Sequence, residues 1–449
     1  MKILYVVFDT LRADHLSCYD YPRSTSPNID SIASEGVLFS YAYPTDVPTQ
    51  PSYTAMFSGQ RGISTGIISH HADEYLSDNT PWLPQILSNE GYTTTAVSTL
   101  YHMKKWFARG FQYYMNPVAN DVRLTQKVTA EQINSMAIPW LRAHGKEDFF
   151  MFVHYWDVHE PFVPPQHYRR LYYQGEERDR RNHSLEGIKD NLAYPFTKKL
   201  LDTMGEDITD IEYVIAQYDA EITYVDEQFG KLISTLKELN ILDDTLIILT
   251  SDHGESLGEH GIYFDHAGVY GPTVHVPLIF HHLDLPQGKK IDALVQLIDI
   301  APTVLEFFKV DIPQEFEGRS LFPLLRGDST EHYKEVFTNQ GLWQATRMMR
   351  TKKWKLIKCI DNGFWNFPST ELYDLQSDPQ ELNNIAQERK EILDKLELKF
   401  HRWLSKRLGK HTDPLRRIAE RGLSPKGQLK KLLEEEGGTY DEWRRKMGW

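Results

Sequence analysis

The chain has 449 residues, with 50 Lys and Arg against 63 Asp and Glu, a formal net charge of −13. At 41% hydrophobic and 25% charged it has ordinary globular composition, which excludes disordered and fibrous classes. The negative balance disfavours nucleic acid or an acidic membrane as the main partner. Two cysteines, Cys18 and Cys359, exclude a disulfide framework and a thiolate zinc site, and they suit a reducing compartment. The apolar run in MKILYVVFDT is shorter than a signal-peptide core. No stretch approaches the roughly 18 apolar residues of a membrane span. A soluble cytoplasmic protein is expected.

In chain order, the runs 3–8, 94–98, 149–154, 246–250 and 276–280 are short, apolar and rich in β-branched and aromatic residues, as strands buried on both faces are. Helices are expected between them. Residues 28–35 follow Ser26-Pro27 and stop at Gly36, residues 82–89 stop before Gly91, and residues 212–239 carry apolar side chains at helical spacing. The alternation predicts an α/β fold, a mostly parallel central sheet flanked by helices on both faces. Residues 163–210 are polar and charged and read as an insertion near the site. Within it Arg169, Arg170, Tyr172 and Tyr173 could line a substrate mouth. The large α/β domain is placed at 1–334, followed by a smaller C-terminal α+β subdomain at 335–407 with an antiparallel meander and a helix. A helical tail at 408–449 completes the chain. Its Leu429, Leu432, Leu433, Trp443 and Trp449 suggest docking on a second copy, a homo-oligomer through the tail.

Ligands of an open parallel sheet gather at the carboxyl ends of its strands. The first strand ends in Asp9-Thr10, the run 149–154 leads into His154-Tyr155-Trp156-Asp157-Val158-His159, and the run 246–250 ends in Ser251-Asp252-His253-Gly254-Glu255. Three strand ends each deliver a carboxylate and two add histidine, a donor set that suits a divalent cation with oxygen and nitrogen ligands. A second candidate is the segment 48–59. Pro51 sits where a first helical turn tolerates proline and Gly59 where a helix would end, so Thr49 lies at a helix N-terminus. Thr commonly caps a helix there. The same position favours an alkoxide and a bound anion, because unsatisfied N–H groups and the helix dipole point at it. Contact with a metal would make Thr49 a nucleophile.

The ordered segments Asp9 to Leu16, Ser26 to Asp30, Glu35 to Phe39, Thr49 to Gly59, His154 to Phe162, Ser251 to Glu255, His266 to Pro277 and Glu371 to Leu375 resemble the sulfatase family of the alkaline phosphatase superfamily over about residues 1–400. The resemblance implies metal ligands at Asp9, Thr49, Asp252 and His253, with Thr49 bridging metal and substrate. It places His159 and His266 where the family contacts the transferred anion or the leaving oxygen, and gives His154 and Asp157 supporting parts. His253 stands where calcium-holding members carry Asn, which favours manganese or zinc over calcium or magnesium.

The departures from the family pattern bear on the reaction. Sulfatases of this family convert a Cys or Ser to formylglycine, and Thr49 cannot follow that route. Tyr53 replaces the Arg of the nucleophile motif, Thr99 and Tyr101 stand where a Lys and a His often follow the next strand, and Thr10 replaces a second Asp. A plain Thr alkoxide suits phosphoryl or phosphonyl transfer. The expectation is a metal-dependent hydrolase of small anionic phosphate or phosphonate esters, phosphodiesters among them. The alternatives are a sulfuric ester hydrolase that uses unmodified Thr49, and a non-catalytic metal- and anion-binding homologue.

Overall fold

The computed structural model describes residues 1–70, 74–117, 128–190, 194–342, 344–363 and 365–421. Eight strands form the central sheet in the spatial order Lys289–Gln296, Val37–Tyr43, Leu278–His281, Thr245–Ser251, Lys2–Phe8, Phe149–Tyr155, Thr93–Val97 and Tyr113–Met115. All run parallel except Leu278–His281, which is antiparallel to both its neighbours.

Strand Lys2–Phe8 shows why the run is uniformly apolar. Successive side chains point to opposite faces. Leu4, Val6 and Phe8 enter one core with helices Ala130–His144 and Ile211–Glu238, through residues such as Ile133, Leu141, Val225 and Phe229. Ile3, Tyr5 and Val7 enter another with helices Thr49–Ser58, Leu83–Asn89 and Ile300–Phe308, through Met56, Phe57, Leu87 and Val304. A strand covered on both faces leaves no position for a polar residue until it emerges at the sheet edge. That is where Asp9 stands.

One strand differs in bounds and direction. The run expected at 276–280 is the strand Leu278–His281, and it runs against the sheet, because the loop before it enters from the carboxyl edge. The strands Val37–Tyr43, Tyr113–Met115 and Lys289–Gln296 lie outside the runs expected as strands; Ser40 interrupts the apolar run of the first, the second is only three residues long, and Lys289, Lys290 and Asp292 break the third. In the insertion, Arg169, Arg170, Tyr172 and Tyr173 each have a hydrogen-bond partner. Tyr172 donates to the Ser24 carbonyl, Tyr173 to Asp210, Arg170 to Glu177 and Arg169 to the Pro164 carbonyl, so all four hold the insertion in place.

A second, five-stranded sheet has the order Thr370–Asp374, Trp354–Asp361, Ala345–Arg350, Val336–Gln340 and Asp46–Val47. Four of these strands are C-terminal and antiparallel. The fifth comes from just before Thr49 and pairs parallel with Val336–Gln340. Helix Lys390–Leu408 covers this sheet through Leu396 and Phe400. Of the tail, helix Pro414–Arg421 packs Leu415 and Ile418 against Ile68 and Ala345. The apolar residues 429–449 expected to dock on a second copy lie outside the described residues. Among the described residues, no helix is long and apolar enough to cross a membrane.

Candidate active site

Parallel pairing places the first two acids side by side. Phe8 is in register with Ser251, so Asp9 and Asp252 leave adjacent strands at the same level. The Asp9 backbone N–H donates to the Tyr155 carbonyl at 2.9 Å, which continues the pairing one residue beyond the strand. One oxygen each from Asp9 and Asp252 and a ring nitrogen of His253 all lie within 4.8 Å of one another. Thr10 follows with φ +55°, a left-handed conformation that strains a β-branched residue, and its N–H donates to Asp252 Oδ1 at 3.3 Å. Gly254 lets the next turn pass under residues 271–274. A Cβ there would stand 2.0 Å from the Pro272 carbonyl oxygen, while the Gly254 N–H donates to the Thr273 carbonyl at 2.8 Å.

Thr49 is the first residue of the helix Thr49–Ser58, whose ten side chains are all buried. Gly59, with φ +61°, ends it and donates to the Ala55 carbonyl. The Thr49 hydroxyl does not cap the helix. Its Oγ1 lies 3.2 Å from His253 Nε2, on the side of the acids. Ser52 Oγ donates to the Asp252 carbonyl at 2.8 Å and so fixes the helix to the acid-bearing loop.

The electrostatics of this corner are unfavourable as they stand. Asp9 and Asp252 are fully buried, and Asp9 Oδ1 and Asp252 Oδ2 have no hydrogen-bond partner. Burial works against charge on Asp9, but His154 Nε2 at 3.1 Å, with His159 and His253 nearby, holds its pKa below the usual carboxylate value. Burial and the Asp9 charge drive Asp252 far above it. Burial lowers His253 to about 4, so its imidazole is neutral at pH 7. Two buried acids with free oxygens, a neutral imidazole and a hydroxyl fit a divalent cation with mixed oxygen and nitrogen donors.

The opposite wall carries His159 and His266. His159 stacks on Trp156 with ring centroids 4.8 Å apart, and its Nδ1 lies 2.7 Å from Glu160 Oε2. Burial opposes the charge on His159, but the Glu160 carboxylate overcomes this and raises it to about 10. The His266 ring centroid stands 5.6 Å from that of His159 and 4.7 Å from that of His253, so the three imidazoles cluster beside the acids. His266 reaches it on the loop that feeds the antiparallel strand, and its carbonyl accepts a 2.6 Å bond from Gln340 Nε2 of the second sheet. Asp157 turns away. Its carboxylate accepts from the Ala130 N–H and anchors the start of helix Ala130–His144.

Several residues escaped sequence reasoning. His70 accepts the Gln50 N–H at 3.0 Å, and burial lowers it to about 3. It follows no strand, so nothing marked it. Glu160 and Glu255 stood beside chosen residues, but a single acid next to a histidine carries no signal of its own. Thr99 is buried and Tyr101 is 40% exposed, while a cavity of about 680 Å³ beside Gln50 and His70 is lined by His102, Lys104 and Lys105 as well as Tyr101. Tyr53, in place of the motif Arg, is fully buried 5.1 Å from the His154 ring.

A family model described as Sulfatase matches residues 2–310, and one described as N-sulphoglucosamine sulphohydrolase, C-terminal, matches residues 258–407. The N-acetylglucosamine-6-O-sulfatase of Bacteroides thetaiotaomicron is 25% identical over 88% of this chain and 85% of its own length. A protein solved in complex with its substrate D-glucosamine-2-N, 6-O-disulfate superposes with TM-score 0.74 at 20% identity, covering 92% of this chain and 99% of that one. The phosphonate monoester hydrolase of Agrobacterium radiobacter superposes with TM-score 0.72 at 20% identity, covering 92% and 96%. These last two likenesses establish the fold.

Proposed function

Since the chain belongs to the sulfatase family of the alkaline phosphatase superfamily, and is a hydrolase of sulfuric or phosphonic ester bonds, we propose that its substrates are small anionic phosphate or phosphonate esters and that Thr49 is the nucleophile. The observation that carries this reading is the Thr49 hydroxyl, at a buried helix N-terminus and 3.2 Å from His253 Nε2. An unmodified threonine has no aldehyde hydrate through which a bound sulfate could be eliminated. An ester of Thr49 with phosphorus can be cleared by in-line attack of water at phosphorus.

Asp9, Asp252, His253 and the Thr49 oxygen would hold a divalent cation, with manganese or zinc matching the imidazole donor. Such an ion supplies Lewis acidity toward the anion and lowers the pKa of the Thr49 hydroxyl. The chain's own groups do the rest. Thr49 Oγ1 loses its proton and forms a bond to phosphorus as the P–O bond to the alcohol breaks and the departing oxygen takes up a proton; water then attacks phosphorus, the Thr49–P bond breaks, and a proton of that water restores the hydroxyl. The dipole of helix Thr49–Ser58 favours negative charge at this spot, while the Gln50 N–H is taken by His70 and the Ser52 N–H by the Pro48 carbonyl. His154 holds Asp9 in orientation through its 3.1 Å contact. His159 and His266 face the anion from the opposite wall, where they bear on its oxygens and on the leaving group.

The test is a p-nitrophenyl panel with Mn²⁺ or Zn²⁺. The phosphodiester or phosphonate should turn over faster than the sulfate. A strong preference for sulfate overturns the reading in favour of sulfate ester hydrolysis by unmodified Thr49, which the 25% identity to a sulfatase supports. Metal binding with no turnover of any ester, and no change on Thr49→Ala, would mark a non-catalytic homologue.

A further inference from the structure

The cavity of about 680 Å³ beside Gln50 and His70 has no part in the chemistry above. Residues 101–105, which line it, follow the strand Thr93–Val97. That strand pairs parallel with Phe149–Tyr155, so the cavity lies at the same carboxyl edge as Asp9 and His159. Gln50 follows Thr49 directly, and its N–H donates to His70 Nε2 at 3.0 Å. His70 feels the charges of His253, Asp9 and His159 and also that of Lys104, so it lies within electrostatic reach of both the reacting corner and the cavity's lysines.

The charge of this cavity runs against that of the molecule. The chain carries a formal −13, yet Lys104, Lys105 and His102 line the cavity and, among the described residues, no carboxylate does. Lys105 is exposed and has no ion pair among the described residues. Lys104 Nζ donates to the Glu74 carbonyl at 3.1 Å and stands 5.3 Å from the Trp106 ring centroid, contacts that orient its ammonium. The nearby Glu74 carboxyl accepts from Gln50 Nε2 at 3.1 Å, and burial raises it to about 8, so it is mostly uncharged at neutral pH. Tyr101 and Met103 add an aromatic and a thioether face on which a ring can lie. A volume of this size holds a sugar or aryl ring with a substituent.

We propose that this cavity receives the alcohol portion of the substrate and selects sugar- or aryl-sized alcohols that carry a second anionic group, a carboxylate or a sulfate, held by Lys104 and Lys105 while the ester group reaches Thr49. The substrate class narrows to doubly anionic esters. The proposal rests on the reading of Thr49 given above and concerns the part of the substrate which that reading leaves open.

The probes are aryl esters with meta-carboxyphenyl, meta-sulfophenyl or meta-carbamoylphenyl as the leaving alcohol, the last being neutral and close in shape to the first. They are prepared both as methylphosphonates and as sulfates. With Mn²⁺ or Zn²⁺ present, kcat/KM is compared within whichever series the full chain turns over faster, so the outcome does not depend on which anion Thr49 prefers. Should neither series turn over, Kd from titration calorimetry gives the same ratio. At least one charged probe should exceed the neutral one by about tenfold, mainly through KM. Lys104→Gln and Lys105→Gln should each lower this ratio and together bring it near one, whereas Lys105→Arg should keep it. Lys146→Gln, just before strand Phe149–Tyr155 and so at the opposite edge of the sheet, controls for net charge and should leave the ratio as it is. Equal values for all the probes in the wild type, a ratio retained in the folded double variant, or an equal loss in Lys146→Gln overturns the proposal.

Discussion

The carboxyl edge of the parallel sheet and the C-terminal sheet both bury charge, and they treat it in opposite ways. In the C-terminal sheet two buried cations meet carboxylates, and buried Glu371 accepts from the Tyr270 and Tyr373 hydroxyls. Lys355 Nζ meets Glu381 at 2.8 Å, and Arg347 meets Asp413 at 2.9 Å through two nitrogens. At the edge of the parallel sheet, Asp9, Asp252 and Glu255 are equally buried, gather with like charge, and keep free oxygens. Paired burial holds one arrangement of chain in place. Unpaired burial of several like charges has no structural use, so it marks a place that receives a cation.

Experiments can break or sharpen this contrast. The largest effect belongs to Thr49→Ala, which should cut kcat by about 10³-fold or more while the melting temperature changes little. Comparable loss through unfolding would show instead that Thr49 belongs with the structural set. Next comes the paired side. Lys355→Met leaves buried Glu381 with the Gly271 N–H but no cation and should cost about 3–5 kcal/mol in urea melts, whereas the double change Lys355→Met with Glu381→Leu should recover much of it.

An intermediate case is Asp226, a buried carboxylate satisfied by the Asn28 and Ile29 N–H groups at 3.0 and 2.8 Å. Burial raises it to about 6 despite those bonds. A carboxyl raised on folding contributes its stability below the unfolded pKa, near 4, and loses it as pH climbs through 6. Wild-type stability should therefore fall by roughly 2 kcal/mol between pH 4 and 6.5 from this group, and Asp226→Asn should flatten that slope. The smallest effect is the reverse of a usual core substitution. Asp252→Asn should raise the melting temperature of the metal-free chain by a few degrees, since it removes one of two facing acids, and should abolish the further rise that Zn²⁺ or Mn²⁺ gives the wild type.

Much of this was legible in the amino-acid order, for a physical reason. Strands covered on both faces must be apolar throughout, so Lys2–Phe8, Phe149–Tyr155 and Thr245–Ser251 announce themselves, and the first polar residue after each marks the sheet edge. Pro51 and Gly59 likewise bracketed the helix that carries Thr49. What stayed hidden depends on pairing between distant segments. The direction of Leu278–His281 is set by the loop that feeds it. His70 meets Gln50 through a bond that no local pattern encodes. Glu160 and Glu255 were visible as letters, but only the fold brings them to a shared wall with His159 and His266.

The two-residue strand Asp46–Val47 has a larger consequence than its length suggests. Val336–Gln340 pairs with it, Asn339 Nδ2 donates to Asp46 Oδ1 at 2.7 Å, and Gln340 of the same strand holds the His266 carbonyl. Two residues of one C-terminal strand therefore gauge the distance across the cavity, from the attacking hydroxyl to the facing imidazole. A cut near residue 334 would not yield an autonomous enzyme and a dispensable appendage. It would leave a sheet with its acids in order and a nucleophile that no longer knows where the far wall stands.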